Sequence, residues 1–103
     1  MNYNPNDQRM YVLVRGDLSP GYQAAQAIHA AVDEALERPE MVRLYPTVVV
    51  LNVASEAELY EYAVRYAMTA FHEPDLDGEM TAAATFSSGE EFRELPLALE
   101  VRV

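Results

Sequence analysis

Residues 11–31, YVLVRGDLSPGYQAAQAIHAA, decide how this chain folds. They overlap the nearly all-apolar run Met10–Arg15, which predicts a strand covered on both faces. Ser19 is a preferred N-cap, and Pro20 suits the first helical position because its missing N–H would be unpaired there anyway. We expect the helix to continue to about Glu37, since a proline follows closely and ends it.

The predicted helix carries two kinds of side chain. Its larger apolar residues and their small neighbours are expected to form the core stripe: Ala24, Ala25, Ile28, Val32, Ala35 and Leu36. Polar side chains recur at intervals that place them in one narrow stripe, and these are Tyr22, Gln26, His29 and Asp33. Two interpretations are open, an active-site wall or the solvated face of an ordinary amphipathic helix, and the spacing alone favours the second.

Further strands and a second helix are predicted downstream. Ser55 and Glu58 form a capping box that opens the second helix. Ser88 and Glu91 are spaced to cap a short third helix near the end of the chain. The predicted strands are Thr47–Val53, which is rich in β-branched residues, Ala70–Glu73 and Met80–Phe86.

The order of these elements predicts the fold class. Two consecutive strand–helix units imply parallel strands, and the acidic turn EPDLDGE at 73–79 makes the last strand pair antiparallel. The prediction is an α/β domain over 10–103, a four-stranded mixed β-sheet with helices packed on it, preceded by a flexible segment at 1–9. Ligands bind such sheets at the carboxyl ends of the strands, here around Arg15–Asp17, the start of the first helix and the turn after Glu73.

Composition narrows the classes of function. The 103 residues include 7 arginines, no lysine and 17 acidic residues, for a net charge of −10, which counts against a broad nucleic-acid footprint. There is no cysteine, no glycine-rich phosphate loop and no complete calcium loop, so we predict no cofactor and no metal site. No apolar run is long enough for a bilayer and no secretory signal is visible, so we expect a cytoplasmic protein without a membrane partner.

The first strand and helix also carry a recognisable motif. Val14-Arg15-x-Asp17-Leu18 is followed by Gly21-x-x-Ala24-Ala25-Gln26-x-x-His29-Ala30. This pattern resembles the signature of the type II peptidyl-tRNA hydrolase family, and the layout agrees over about 10–87. The resemblance implies a compact α/β fold, often dimeric, that hydrolyses the ester between a peptide and the 3′ end of tRNA.

The resemblance also implies roles for individual residues. A water would attack the ester carbonyl, oriented or deprotonated by Asp75 or His29, while the helix N-terminus and two side chains stabilise the oxyanion. The implied catalytic residues are Tyr22, Gln26, His29 and Asp75, and the implied substrate-binding residues are Arg15, Asp17, Ser19 and Gly21. Which loop carboxylate faces the site is left open among Glu73, Asp75 and Asp77.

One departure from the motif defines the alternatives. The family places lysine after the motif glycine, whereas Gly21 is followed by Tyr22, which can donate a hydrogen bond but carries no charge near neutral pH. The first alternative is a catalytically inactive or diverged relative that binds a small ligand or a protein through the same face. The second is a structural homodimer that uses the alanine-rich helix face or a free sheet edge. Arginines gathered around Tyr22 (Arg15, Arg43 or Arg93) would favour binding of tRNA. A negatively charged surface around Tyr22 would favour the first alternative.

Overall fold

A four-stranded mixed sheet forms the middle layer of the computed structural model, which describes residues 8–43 and 46–99. The strands lie in the order β2-β1-β4-β3; β1 pairs with β2 in parallel, and β4 runs antiparallel to both β1 and β3. This arrangement confirms the predicted α/β class and the mixed sheet. The strands are β1 Arg9–Arg15, β2 Val48–Val53, β3 Thr69–Glu73 and β4 Glu79–Ser87.

Two α-helices connect the parallel strands, and both predicted caps are present. Helix α1 spans Pro20–Glu37, and the Oγ of Ser19 accepts a hydrogen bond from the Tyr22 N–H at 3.4 Å. Helix α2 spans Glu56–Arg65, with Ser55 as its N-cap. The Glu58 carboxylate reaches back to the Ala54 N–H at 3.4 Å and so completes the capping box one residue earlier than the standard pattern.

The predicted cap at Ser88 is wrong. The short 3₁₀ turn Glu90–Phe92 has Gly89 as its N-cap, and the neighbouring hydroxyl of Ser87 accepts the Gly89 N–H and bonds the carboxylate of Glu91. Gly89 has a φ of 94°, and a Cβ there would lie 2.0 Å from the Tyr11 hydroxyl. Only glycine suits this position, and that fixes the turn around Gly89 and Ser87 instead of Ser88.

Strand β1 is buried on both faces, as its apolar sequence predicts. Val12, Leu13 and Val14 are fully buried. On one face the strand packs against small residues of α1 and β4, namely Ala27, Ala30, Ala82 and Ala84. On the other face α2 and the Glu90–Phe92 turn contribute Leu59, Ala63 and Phe92, together with Leu51 and Val53 from β2.

The predicted core stripe of α1 is wrong, because the helix presents a different face to the sheet. Ile28, Val32 and Leu36 are 63%, 51% and 74% exposed. The buried positions are Gln23, Gln26, Ala27, Ala30 and Glu34. The alanines on β4 allow close approach of the helix only on the face where its own side chains are small. The polar side chains on the same face have hydrogen-bond partners on the strands. The alanine-rich face is therefore covered by the sheet and is not available for a dimer.

Glu34 is a fully buried carboxylate that ties α1 to two strands. Its Oε1 accepts hydrogen bonds from Arg38 Nη1 at 2.6 Å and from Thr69 Oγ1 of β3 at 2.7 Å. Its Oε2 accepts the backbone N–H of Phe86 in β4 at 3.3 Å. Burial of a charged carboxylate carries a large desolvation cost, which hydrogen-bond partners of this kind offset. Here the same partners hold the second half of the helix on the sheet.

The two outer edges of the sheet differ. Residues 96–98 lie along β2, where Asn52 N–H donates to the Pro96 carbonyl and Ala98 N–H donates to the Val50 carbonyl, each at 2.9 Å. Strand β3 has no further strand beside it among residues 8–43 and 46–99. No helix in these ranges is long and apolar enough to cross a membrane.

Only residues 8 and 9 of the predicted flexible segment 1–9 can be compared with the structure. Residues 1–7 lie outside the described ranges, as do residues 100–103 at the end of the predicted domain. Arg9, however, belongs to β1 and pairs with Ser87, so the ordered sheet begins one residue earlier than predicted.

Replacing Glu34 by alanine is expected to destabilise the fold. The change leaves the hydroxyl of Thr69 and the N–H of Phe86 without their acceptor, and we expect the free energy of unfolding to fall by about 2 kcal/mol or more. Chemical unfolding followed by circular dichroism measures this. Glu37→Ala, on the exposed side of the same helix, is the matched control and should change stability by less than about 0.5 kcal/mol. Equal effects of the two substitutions would contradict the assigned role of Glu34.

Candidate functional site

The carboxyl ends of β1, β2 and β3 meet at one edge of the sheet, where β4 begins. Parallel strands bring these ends together because β1, β2 and β3 run in the same direction. The loop before α1, the first turns of α1 and the acidic turn after β3 therefore share this edge, as the sequence predicts. The acidic turn contains the 3₁₀ turn Pro74–Leu76.

Arg15 lies at this edge inside an ion-pair cluster. It is 8% exposed, and it contacts Asp17 with both Nε at 3.0 Å and Nη2 at 2.8 Å. Its Nη1 donates to Glu79 Oε1 at 2.6 Å and approaches the Met80 carbonyl at 3.4 Å. The guanidinium lies between two carboxylates, so its positive charge is more than balanced. Its hydrogen bonds also join the start of β4 to the loop before α1.

The ion pair shifts the acidity of both partners. Hydrogen bonding to Asp17 raises the pKa of the Arg15 guanidinium further above its ordinary value. Hydrogen bonding to Arg15 lowers the pKa of the Asp17 carboxyl. Both shifts favour the charged forms, so the ion pair of Arg15 and Asp17 is ionised throughout the neutral range.

A second network fixes the same loop and was not found from the sequence. The side-chain amide of Gln23 donates to the Leu18 carbonyl at 2.7 Å and accepts from Asn52 Nδ2 at 2.9 Å. Asn52 also donates to the Val14 carbonyl at 3.2 Å. The one signal in the sequence is Asn52 itself, a lone amide in the apolar run of β2. Its partner Gln23 lies outside the polar stripe of α1, and no feature of the sequence marks it.

A cleft of about 280 Å³ opens beside these networks, between the first turns of α1 and the acidic turn. It brings together the four side chains for which the resemblance implies catalysis, although they are spread from position 22 to position 75. Arg15, Asp17 and Ser19 do not line it, and of the three loop carboxylates Asp77 is absent while two are present. The lining residues are Gly21, Tyr22, Ala25, Gln26, His29, Glu73 and Asp75.

The aromatic and imidazole groups of the cleft come from α1 and β3. Tyr22 is 39% exposed at the first turn of α1. The imidazole of His29 stacks on the ring of Phe71, with ring centroids 4.6 Å apart and ring planes 12° apart. This contact fixes the plane of the imidazole while its edge stays accessible, which suits a group that exchanges protons.

Gln26 and Glu73 are the buried polar groups of the cleft. Gln26 is 2% exposed, and its Oε1 accepts a hydrogen bond from the Thr81 hydroxyl at 2.6 Å. Glu73 is 8% exposed, and its Oε1 accepts the backbone N–H of Asp75 at 3.2 Å. One polar atom of each side chain is thus hydrogen-bonded within the protein, and this bond holds the side chain at the wall of the cleft.

The charge around the cleft is negative. Its lining includes two carboxyl side chains and no arginine. Arg93 is paired with Glu90 on an exposed turn, and Arg43 follows the 3₁₀ turn Pro39–Met41 after α1. An arginine cluster around Tyr22 is therefore absent from the described residues. In the same ranges no group of three or more histidine or acidic side chains is arranged to hold a metal ion.

Comparisons with known proteins add information on the fold alone. No family model matches the sequence, and no curated protein matches it. The structure is similar to that of a protein of unknown function from Agrobacterium tumefaciens strain C58, with a TM-score of 0.68 and 10% sequence identity. The match covers 88% of this chain and 97% of the other. The resemblance to the type II peptidyl-tRNA hydrolase family therefore stays a prediction.

The Asp17–Arg15 ion pair predicts a specific pH dependence of stability. Because the pKa of Asp17 is lowered in the folded state, its contribution is present above the unfolded pKa of about 3.9 and is lost as the pH falls through the folded value. The difference in unfolding free energy between the wild type and Asp17→Asn should be constant from about pH 7 to 5 and shrink towards about pH 3. Urea unfolding at these pH values measures it.

Asp77→Asn is the matched control for this measurement. Asp77 is exposed and makes no ion pair with a described residue, so its removal should give a difference in unfolding free energy with little dependence on pH. A difference for Asp17→Asn that stays constant down to about pH 3 would contradict the lowered pKa.

Proposed function

We propose that this chain is a hydrolase of the type II peptidyl-tRNA hydrolase class, which cleaves the ester between an acyl group and the 3′ end of tRNA. The acyl group implied by the resemblance is a peptide or a blocked amino acid. One observation carries the proposal: a single cleft contains Tyr22, Gln26, His29 and Asp75. Three of these lie on one helix, and the fourth comes from a turn on the far side of the cleft.

The groups of the cleft are sufficient for ester hydrolysis by water. His29 or Asp75 accepts a proton from the water as its oxygen forms a bond to the carbonyl carbon. The negative charge that develops on the carbonyl oxygen is stabilised by the amide of Gln26 and the hydroxyl of Tyr22. When the tetrahedral intermediate collapses, the bond to the ribose oxygen breaks, and this oxygen takes up the proton from the same base.

In this proposal the residues outside the cleft position the first turns of α1. Arg15 and Asp17 anchor the preceding loop to β4, and Ser19 caps the helix whose N-terminus faces the substrate. A Cβ at Gly21 would meet no atom within 4 Å, so glycine is not required there by crowding. It leaves that side of the cleft open to the acyl group.

A binding module without catalysis is the second candidate, and the charge of the cleft favours it. The cleft carries Glu73 and Asp75 without an arginine, and Tyr22 stands where the family has lysine. Such a site attracts polyanionic tRNA less than the family pattern does. A diverged relative would use the same cleft for a small ligand or a segment of a partner protein.

Hydrolysis of acyl-tRNA by the purified protein tests the proposal. The substrate is N-acetylaminoacyl-tRNA, and release of the acyl group is measured. We expect turnover that His29→Ala and Asp75→Asn each reduce by about 100-fold. The matched controls His72→Ala and Asp77→Asn alter an exposed histidine and an exposed aspartate that do not line the cleft, and they should retain activity.

The same assay separates the two candidates. Turnover that is lost only in the cleft variants supports the hydrolase. No turnover by the wild type, together with turnover after Tyr22→Lys, would identify a diverged relative and overturn the hydrolase proposal. Activity that survives both cleft substitutions would also overturn it.

The homodimer implied by the resemblance is a separate proposal. The outer edge of β3 is the sheet edge that could receive a second copy, because residues 96–98 cover the edge at β2. Light scattering at rising protein concentration should give twice the mass of one chain. A wild-type protein that stays monomeric would overturn the dimer.

A further inference from the structure

We propose that an exposed apolar row on α1, formed by Ile28, Val32 and Leu36, binds the peptide part of the substrate next to the cleft. The favoured acyl group is then a peptide of several residues with apolar side chains, in preference to a single blocked amino acid. This inference rests on the proposed function for the hydrolytic step, while its binding component can be measured with peptides alone.

The apolar row is continuous and open to solvent. Its three side chains follow one another at intervals of four residues, so they lie on one side of the helix. They are 63%, 51% and 74% exposed, although all three are large aliphatic groups. Single exposed aliphatic residues are common on protein surfaces, whereas a contiguous row of them marks an interaction site. The buried polar face of α1 keeps the row turned away from the sheet, so these side chains stay available to a ligand.

The row begins where the lining of the cleft ends. Ala25 and His29 line the cleft, and each is followed three residues later by a member of the row, Ile28 or Val32. Residues three apart are neighbours on a helix surface, so the row and the cleft adjoin along α1. Ala25 is exposed and its side chain is small, so a ligand that leaves the cleft meets no bulky group before the row.

The length of the row fits a short peptide. From Ala25 to Leu36 the helix rises by about 16 Å, at about 1.5 Å per residue. An extended chain covers this distance with about five residues, at about 3.3 Å each. A single blocked amino acid with its ester in the cleft cannot reach Leu36, whereas a pentapeptide can contact the whole row. Apolar side chains of that peptide would bury the row and so strengthen binding.

The charges at the far end of the row match the amino end of a peptide. The last turn of α1 has no basic side chain, and Glu37 and Glu40 are exposed near it. Arg38, which follows the helix, is paired with the buried Glu34. The carboxyl end of a helix also carries partial negative charge. A peptide with its ester in the cleft therefore has its positive amino terminus at the negative end of α1.

A second copy of this chain is the competing occupant of the row. Each partner of a stable dimer buries about 800 Å². Three partly exposed aliphatic side chains provide well below that area, whereas they are sufficient to contact a few side chains of a peptide. The size of the row therefore favours the peptide, and the oligomeric state of the variants below tests the alternative.

A binding measurement tests the apolar row without requiring catalysis. The probes are two pentapeptide amides with free amino termini, Leu-Ala-Leu-Ala-Phe-NH₂ and Ser-Gly-Ser-Gly-Phe-NH₂, which share the residue at the ester position. Each is titrated into the full chain, and the chemical shifts of the backbone amides of α1 report binding by NMR. We expect the apolar peptide to bind about tenfold more tightly than the polar one. Equal binding of the two peptides would overturn the inference.

Three variants assign the preference to the row. Ile28→Gln and Leu36→Gln each replace an exposed aliphatic side chain by a polar one that favours helix, so the fold is retained. Each should reduce the preference for the apolar peptide severalfold. The matched control is Val64→Gln on α2, because Val64 is as exposed as Ile28, at 63%, and should not affect the preference. A preference that survives both substitutions in the row would overturn the inference.

Light scattering on the same variants tests the second copy. We expect Leu36→Gln to have the same mass as the wild type. A wild-type dimer that becomes monomeric in Leu36→Gln, but not in Val64→Gln, would show that the row is covered by a second copy and would overturn the inference.

Hydrolysis of tRNA esters then separates this inference from the proposed function. The substrates are N-acetylphenylalanyl-tRNA and the tRNA esters of the two pentapeptides. Fastest turnover of the apolar pentapeptide ester, reduced severalfold relative to N-acetylphenylalanyl-tRNA by Ile28→Gln and Leu36→Gln, supports both. Equal turnover of the two pentapeptide esters supports the hydrolase and overturns the role of the row. Preferential binding of the apolar peptide without turnover of any ester supports the row as a peptide site and overturns the hydrolase.

Discussion

The position of α1 on the sheet depends on hydrogen bonds made by its buried polar face. Gln23, Gln26 and Glu34 lie on this face, and each has a partner on a strand. Between them, alanines meet the alanines of β4. A helix with this face cannot rotate to bury its larger aliphatic residues, because three buried polar groups would then lose their partners at a cost of about 1–3 kcal/mol each.

This rotation of the helix determines what the cleft contains. With Gln26 bound to β4 through Thr81, the helical positions three and four residues away on the same side reach the space next to the acidic turn. Tyr22 and His29 are these positions. The structural role of Gln26 and its place in the cleft are therefore not alternatives, since the side chain that bonds Thr81 also lines the cleft.

The order of elements could be predicted from local signals, whereas the orientation of α1 could not. The apolar run of β1 and the caps at Ser19 and Ser55 act within a few residues, and those predictions are confirmed. Hydrophobicity alone predicted that Leu36 and its aliphatic neighbours form the core, which is wrong because the groups that decide the orientation, such as Thr81, are distant in sequence. Sequence spacing also grouped the polar residues of α1 without showing that Gln26 is buried while Tyr22 and His29 are accessible.

The loop carboxylates illustrate the same limit at the site. Glu73, Asp75 and Asp77 are equivalent in the sequence, since they alternate along one turn. The backbone separates them: Glu73 ends β3 and points back to bond the Asp75 N–H, while Asp77 adopts a left-handed conformation with φ of 55° at the end of the 3₁₀ turn. Glu73 and Asp75 thus line the cleft, and Asp77 does not.

The electrostatic character of this edge of the sheet depends on which charged side chains form ion pairs as well as on how many there are. Arg15 is the arginine that the strand order brings to the carboxyl ends, and both carboxylates that pair with it come from the same edge. An arginine held in this way stabilises the loop but has little remaining attraction for a phosphate. With Tyr22 at the position where the resembling family has lysine, the first turn of α1 offers neutral donors, and the acidic turn adds negative charge to the cleft. A cleft with this lining has little electrostatic attraction for a polyanion.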